Sequence, residues 1–341
     1  MLPDDALLHA LGFLTLRDAT IARTVSARFR IAVAAVEWDE LAAAHDLDLY
    51  FKCFPRAVSL FARSQLSTCS PRVRTIAFAN ADLYEMPRLH LRSFTAFMCN
   101  FVTFPVLSGL TRLDLTASTF DPNMLASLAS NPIKELVVSG SHVRAKHLVY
   151  FPFCETLVAT NCVLSGDFLP TMPLLKNLDL ENTVGHFDNY PSTVCKLSAP
   201  IGPIPTLPYV RTLRMSFSDA SRILGNVESL ALEFCAVATF RLPHLTSLHL
   251  THSSLAPLRD LGRVGKLVLE DCRIDDPAVL CNVQPAVLVV DRCYGSLAYL
   301  RAETVYVKCS DVAVLPKCDR LIVCACVAAL HGLSGIPCSM I

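Results

Sequence analysis

The sequence has no excess of either charge. Thirty Lys and Arg residues balance thirty Asp and Glu, and only 18% of the 341 residues are charged. A broad nucleic-acid footprint needs a clustered basic surplus, so no nucleic-acid partner is expected. Glycine is sparse, at 12 residues, while 52% of the chain is apolar; such a chain buries enough surface to fold, which excludes a disordered tether. No Cys-x-x-Cys spacing occurs, and the 15 cysteines are odd in number in a chain long enough to bury its own core. A disulfide framework is therefore not expected. No Asn-x-Ser/Thr site is present, and Leu2-Pro3-Asp4-Asp5 after Met1 forms neither part of a secretory leader. These features predict reduced thiols and a cytoplasmic or nuclear protein. Phosphate-binding, nucleophile-elbow and zinc-protease motifs are missing too, so no enzyme activity and no cofactor is expected.

What the chain does have is an internal repeat. From residue 74 a phrase recurs: apolar, any, apolar, any, any, small, any, apolar. It begins at Ile76, Phe94, Leu113, Leu136, Leu157, Leu178, Leu197, Leu213, Leu230, Leu248, Leu267, Leu288, Val305 and Leu321, with a period of about 19 residues. The sixth position is small every time, from Ala81, Cys99 and Ser118 through Cys272 and Cys293 to Ser310 and Cys326. Alternation around two apolar residues predicts a short strand with one buried face. The small residue suits a tight turn, where cysteine acts as compact filler. One repeat cannot bury its apolar side alone, so the repeats must stack.

The phrase resembles the leucine-rich repeat over about residues 74–330. That resemblance implies an α/β solenoid, a horseshoe of about 14 short repeats with a parallel sheet on its concave face. Asp121-Pro122 and Asp276-Pro277 mark two helix starts, each a cap followed by proline; the remaining outer segments should be extended or 3₁₀. The proline-rich stretch 200–208 reads as an irregular repeat.

The N-terminus reads differently. Leu7, Leu8, Leu11 and Leu14 fall on one helical face, and two further helices would carry Leu16, Ile21 and Val25, then Phe29 and Val33. Leu2-Pro3-Asp4-Asp5-Ala6-Leu7-Leu8, Leu16-Arg17-Asp18, Val25-Ser26-Ala27-Arg28-Phe29 and Trp38 follow the order of an F-box, which this segment resembles. Asp5 stands where Glu is common, and Val25-Ser26 replaces a frequent Cys. The division expected is an F-box at 1–45, a helical linker or cap at 46–73 and repeats at 74–341. The resemblance implies a non-catalytic, substrate-recognition subunit of a Skp–cullin–F-box ubiquitin ligase. It implies a Skp-type adaptor, and through it a cullin, as partners, with Leu2, Pro3, Leu7, Leu8, Leu11, Leu16, Ile21, Val25 and Phe29 facing the adaptor or the core. The rival reading is a repeat scaffold whose N-terminal helices only cap the solenoid.

Residues flanking the two buried leucines point to the open face of the sheet. There Asp114, Asp179, Glu181, Arg214, Glu233, His249, Lys266, Glu270 and Asp291 mix both signs, predicting a polar protein epitope for an unidentified target. His249 and His252 read as structural. Cys318, Cys324 and Cys326 make a poor zinc set, so no metal is expected. The terminal Cys338-Ser339-Met340-Ile341 has the form of a prenylation box; membrane attachment is expected only if Cys338 carries that lipid.

Overall fold

The computed structural model describes residues 71–164, 168–185, 187, 190–199, 207–216, 222–237, 239–324 and 338–340. Before 71 it describes positions 18, 19, 21, 29, 31, 33, 43, 44, 50, 53, 54, 56–62 and 69. They belong to two compact units, Met1–Val158 and Ala159–Ile341. Each is a parallel β-solenoid with few helices.

In the first unit the strands Ser59–Ala62, Thr75–Ala79, Ser93–Phe97, Arg112–Asp114, Glu135–Val137 and Thr156–Val158 pair in parallel. The register is the one the phrase demands: Ile76 opposes Phe94, then Leu113, Leu136 and Leu157 follow in one row. The physical cause is the two-residue side-chain period, since a one-residue slip would turn every leucine outward. Ile76, Phe94, Leu113, Leu136 and Leu157 are fully buried. Each contributes about 1.5–3 kcal/mol of burial. Beside them Phe94, Phe101, Phe104 and Phe120 cluster, with Phe101 and Phe104 stacked at 5.0 Å between ring centroids.

The sheet begins before residue 74, a correction to the expected start. Leu60 opposes Ile76 in the same register, and Ala43–Ala44 pairs in parallel with Phe61–Ala62. The phrase is hidden at Leu60 because its sixth position is Gln65, which breaks the small-residue rule.

In the second unit one row runs Leu178, Leu197, Leu213, Leu230, Leu248, Leu267, Leu288, Val305 and Leu321. The strand Cys338–Met340 adds a further parallel partner, with Cys338 opposite Leu321. Within 200–208 only Leu207 and Pro208 are described, and they open the strand Leu207–Ser216.

Both helix starts are as expected. Asp121 accepts from the Asn123 N–H at 3.0 Å and Asp276 from the Ala278 N–H at 3.0 Å, each followed by proline and a 3₁₀ turn, Pro122–Leu128 and Pro277–Leu280. A short α-helix, Ala145–Leu148, was not expected.

The turn out of each strand has two fixed features. Every described fifth position of the phrase has a left-handed backbone: Asn80, Met98, Ala117, Gly140, Asn161, Asn182, Phe234, His252, Asp271, Arg292 and Cys309. Glycine supplies it once and Asn three times, the residues for which it costs least.

The sixth position then forms a hydrogen-bonded ladder between turns. Ser118 Oγ donates to the Ala96 carbonyl at 2.8 Å and accepts from the Cys99 N–H at 3.1 Å. Ser141 repeats the first bond to Leu115 at 2.6 Å. In the second unit Cys235, Cys272 and Cys293 donate their thiols to Met215, Leu250 and Leu269 at 3.3–3.4 Å. Ser253 and Ser310 accept from the Cys235 and Cys293 N–H groups, each at 3.0 Å. The cysteines are therefore weak donors matched to buried carbonyls, not inert filler. Burial holds the Cys99 thiol above its ordinary pKa, so it stays protonated and able to donate.

Candidate functional site

The positions flanking the leucines of each strand face away from the leucine rows, and most of the described side chains there are half-buried or exposed, with Ser59, Ala77, Ser139 and Ser216 buried. In the first unit Asp114 turns back on its own chain, accepting from Thr116 Oγ1 at 2.6 Å and from the Thr116 N–H at 3.1 Å. Both bonds use Oδ1 and shape the turn. Arg112 pairs with Glu135 at 3.3 Å on the same face.

In the second unit the expected residues come together as two ionic groups. Arg214 reaches Glu233 at 3.1 Å and Glu181 at 3.9 Å. Its hydrogen bond to Glu233 holds the guanidinium above its ordinary pKa, although burial opposes this. Asp179 accepts from the Glu181 N–H at 3.1 Å.

The second group centres on Arg292. This guanidinium bonds both Glu270 and Asp271 and lies 3.4 Å from Asp291, which Lys308 also approaches at 3.4 Å. His249 Nε2 lies 3.0 Å from Glu270 and His252 Nε2 3.7 Å from Asp271. Burial pushes the Glu270 carboxyl up, but its bonds to Arg292 and His249 outweigh this and hold it below the usual range. The Arg292 hydrogen bond does the same for Asp271, against a smaller burial effect. His252 also stacks on Phe234 at 4.5 Å between centroids.

Sequence reading missed Arg292, Asp271 and Lys308. The signal was available, because residues at the fourth and fifth positions after each strand start share one edge of the open face once the turn is left-handed. Lys266 stands apart from both groups, exposed and without a carboxylate partner among the described residues.

No family model matches the chain, and no curated protein does. Of the candidate adaptor-facing set, Leu2, Pro3, Leu7, Leu8, Leu11, Leu16 and Val25 lie outside the described residues. Ile21 and Phe29 are helical, Ile21 exposed and Phe29 half-buried. Thirteen cysteines among the described residues form no disulfide, and no group of three side chains that could hold a metal ion occurs there. Cys326 lies outside them. No helix among them is long and apolar enough to cross a membrane.

Proposed function

We propose that the chain is the substrate-recognition subunit of a Skp–cullin–F-box ubiquitin ligase. Its N-terminal segment binds a Skp-type adaptor, and the open sheet face of leucine-rich repeats holds a protein target. The observation that carries this reading is the order of residues from Leu2-Pro3 through Val25-Ser26-Ala27-Arg28-Phe29 to Trp38, set directly before a stacked repeat array. Such a subunit needs no catalytic residue of its own, since holding a target beside a charged conjugating enzyme raises rate through proximity. The ionic groups around Arg214 and Arg292 suit recognition, because their charges are fixed by mutual pairing in one geometry.

A second reading, a repeat scaffold without a ligase role, is favoured by one observation. Ala43–Ala44, within the stretch expected to be the F-box, already pairs with the sheet. Co-purification with a Skp adaptor separates the two. The intact chain should retain the adaptor, and a Pro3→Ala, Leu7→Asp variant should lose it with its circular dichroism unchanged. No retention by the intact, folded chain would sink the ligase reading.

A further inference from the structure

The open face of the second unit changes character along its length. The row between the two buried leucine positions runs Asp179, Ser198, Arg214, Ala231 and His249, then turns apolar as Val268, Val289, Tyr306 and Ile322. Tyr306 is 39% exposed and the other three are half-buried, so four apolar side chains form a continuous strip on a solvent-facing sheet.

The two flanks of this strip differ in charge. On one side lie Glu270, Asp271, Asp291, Arg292 and Lys308, three anions and two cations all paired in the network above. On the other side Arg263, Lys266, Arg301, Lys317 and Arg320 are all exposed, and none has a carboxylate partner among the described residues. Arg263 meets only the neutral Gln284 side chain, at 3.5 Å. Glu303 and Asp319 are the acids on this flank, so five cations face two anions. Arg301 stands directly opposite Lys317 in the strand register, and like charges so placed destabilise a sheet. They edge a groove of about 900 Å³ whose floor is made small by Gly265, Ala286 and Ala302.

We infer that this strip and its cationic flank bind an acidic polypeptide segment, apolar side chains on the strip and carboxylates toward Lys266, Arg301, Lys317 and Arg320. The inference rests on the open face being the target-binding surface, and it names the target's chemistry. The row crosses four strands about 4.8 Å apart, a span that about five extended residues cover. Uncompensated cations beside exposed apolar surface are costly to leave in place, and an acidic segment with apolar anchors relieves both terms together.

Random peptides of about twelve residues, long enough to overrun that span, are displayed on phage and selected on the full chain without adaptor. Selected sequences are then measured as synthetic peptides by fluorescence anisotropy. They should pair Asp or Glu with apolar residues and weaken as salt rises. Affinity should fall at least about tenfold in the Arg301→Glu, Lys317→Glu double variant and in Tyr306→Ala, and stay unchanged in Lys196→Glu at the other end of the face. If the double variant fails to fold by circular dichroism, the salt series and Tyr306→Ala decide. A basic or charge-free consensus, no enrichment, or binding indifferent to Tyr306→Ala would overturn the inference. So would sedimentation showing that the strip joins two copies of the chain, or binding to anionic vesicles in preference to peptide. No adaptor takes part, so failure here leaves adaptor co-purification untouched, and loss of adaptor binding leaves a peptide result standing.

Discussion

Replacing Ser118 with alanine tests the ladder that joins successive turns. Ser118 is 2% exposed, and its hydroxyl meets the Ala96 carbonyl at 2.8 Å, the Cys99 N–H at 3.1 Å and, more weakly, the Thr116 carbonyl at 3.3 Å. Alanine leaves the Cys99 N–H buried without its acceptor, which costs about 1–3 kcal/mol, and forfeits the bond to Ala96, worth about 1 kcal/mol. The expected destabilisation is therefore about 2–4 kcal/mol, or a fall of about 1 M in the urea midpoint at an unchanged slope. Ser118→Cys keeps a donor and an acceptor of the kind the chain already uses at Cys235 and Cys293, and should cost less than half as much. Urea titration followed by circular dichroism reads the difference, and hydrogen exchange at the Cys99 amide localises it. Equal costs for alanine and cysteine, or a loss under about 0.5 kcal/mol for alanine, would refute the hydrogen-bond account and leave only packing.

Three further outcomes follow from the same structure. Burial, helped by Lys146 and Arg144, holds His147 below its ordinary pKa, and its Nδ1 accepts from the Arg144 N–H at 3.1 Å. The unfolded chain then binds the proton more tightly, so the stability due to His147 is full above about pH 6.5 and lost as pH falls toward the lower folded value. Thermal melts from pH 7 to 5 should show a steeper loss for the wild type than for His147→Leu. Asp271 and Glu270 have lowered pKa values, so their contribution is present above the ordinary carboxylate range and disappears as pH falls through it. In Arg292→Ala both carboxyls should titrate higher by carbon-detected NMR, and stability should depend less on pH between about 5 and 3. Ala117 is exposed with φ of 53°, so Ala117→Gly should stabilise by about 0.5–1 kcal/mol, and Ala117→Val should destabilise by at least as much; paired urea midpoints check the sign.

The solenoid was legible because its cause is local. Leu267 and Leu269 advertise a strand by their spacing, and Cys272 advertises the turn by its size. Asp121-Pro122 and Asp276-Pro277 announced their 3₁₀ turns equally well, since a cap and a proline act within a few residues. The turn at Leu60 was invisible, because Gln65 sits where a small residue was required of every copy. Of the open face, Arg214, Glu233, His249, Glu270 and Asp291 were found by alternation alone. Arg292 and Asp271 were not, because alternation ends with the strand and their own left-handed backbone turns their side chains back toward the face.

The sequence by itself determined the repeat, its register and which side of each strand is buried. The two-residue alternation of a strand and the burial of its leucines leave no other stacking of lower free energy. Tertiary structure alone decided which charges meet. Glu270 and Arg292 are 22 residues apart and Asp291 and Lys308 are 17 apart, yet each pair is in contact, because stacking brings corresponding positions of successive turns side by side. It also decided which cations stay unmatched. Arg301 and Lys317 each stand four residues before a phrase start, so the repeat register already sets them opposite; only the structure shows that no carboxylate among the described residues reaches either.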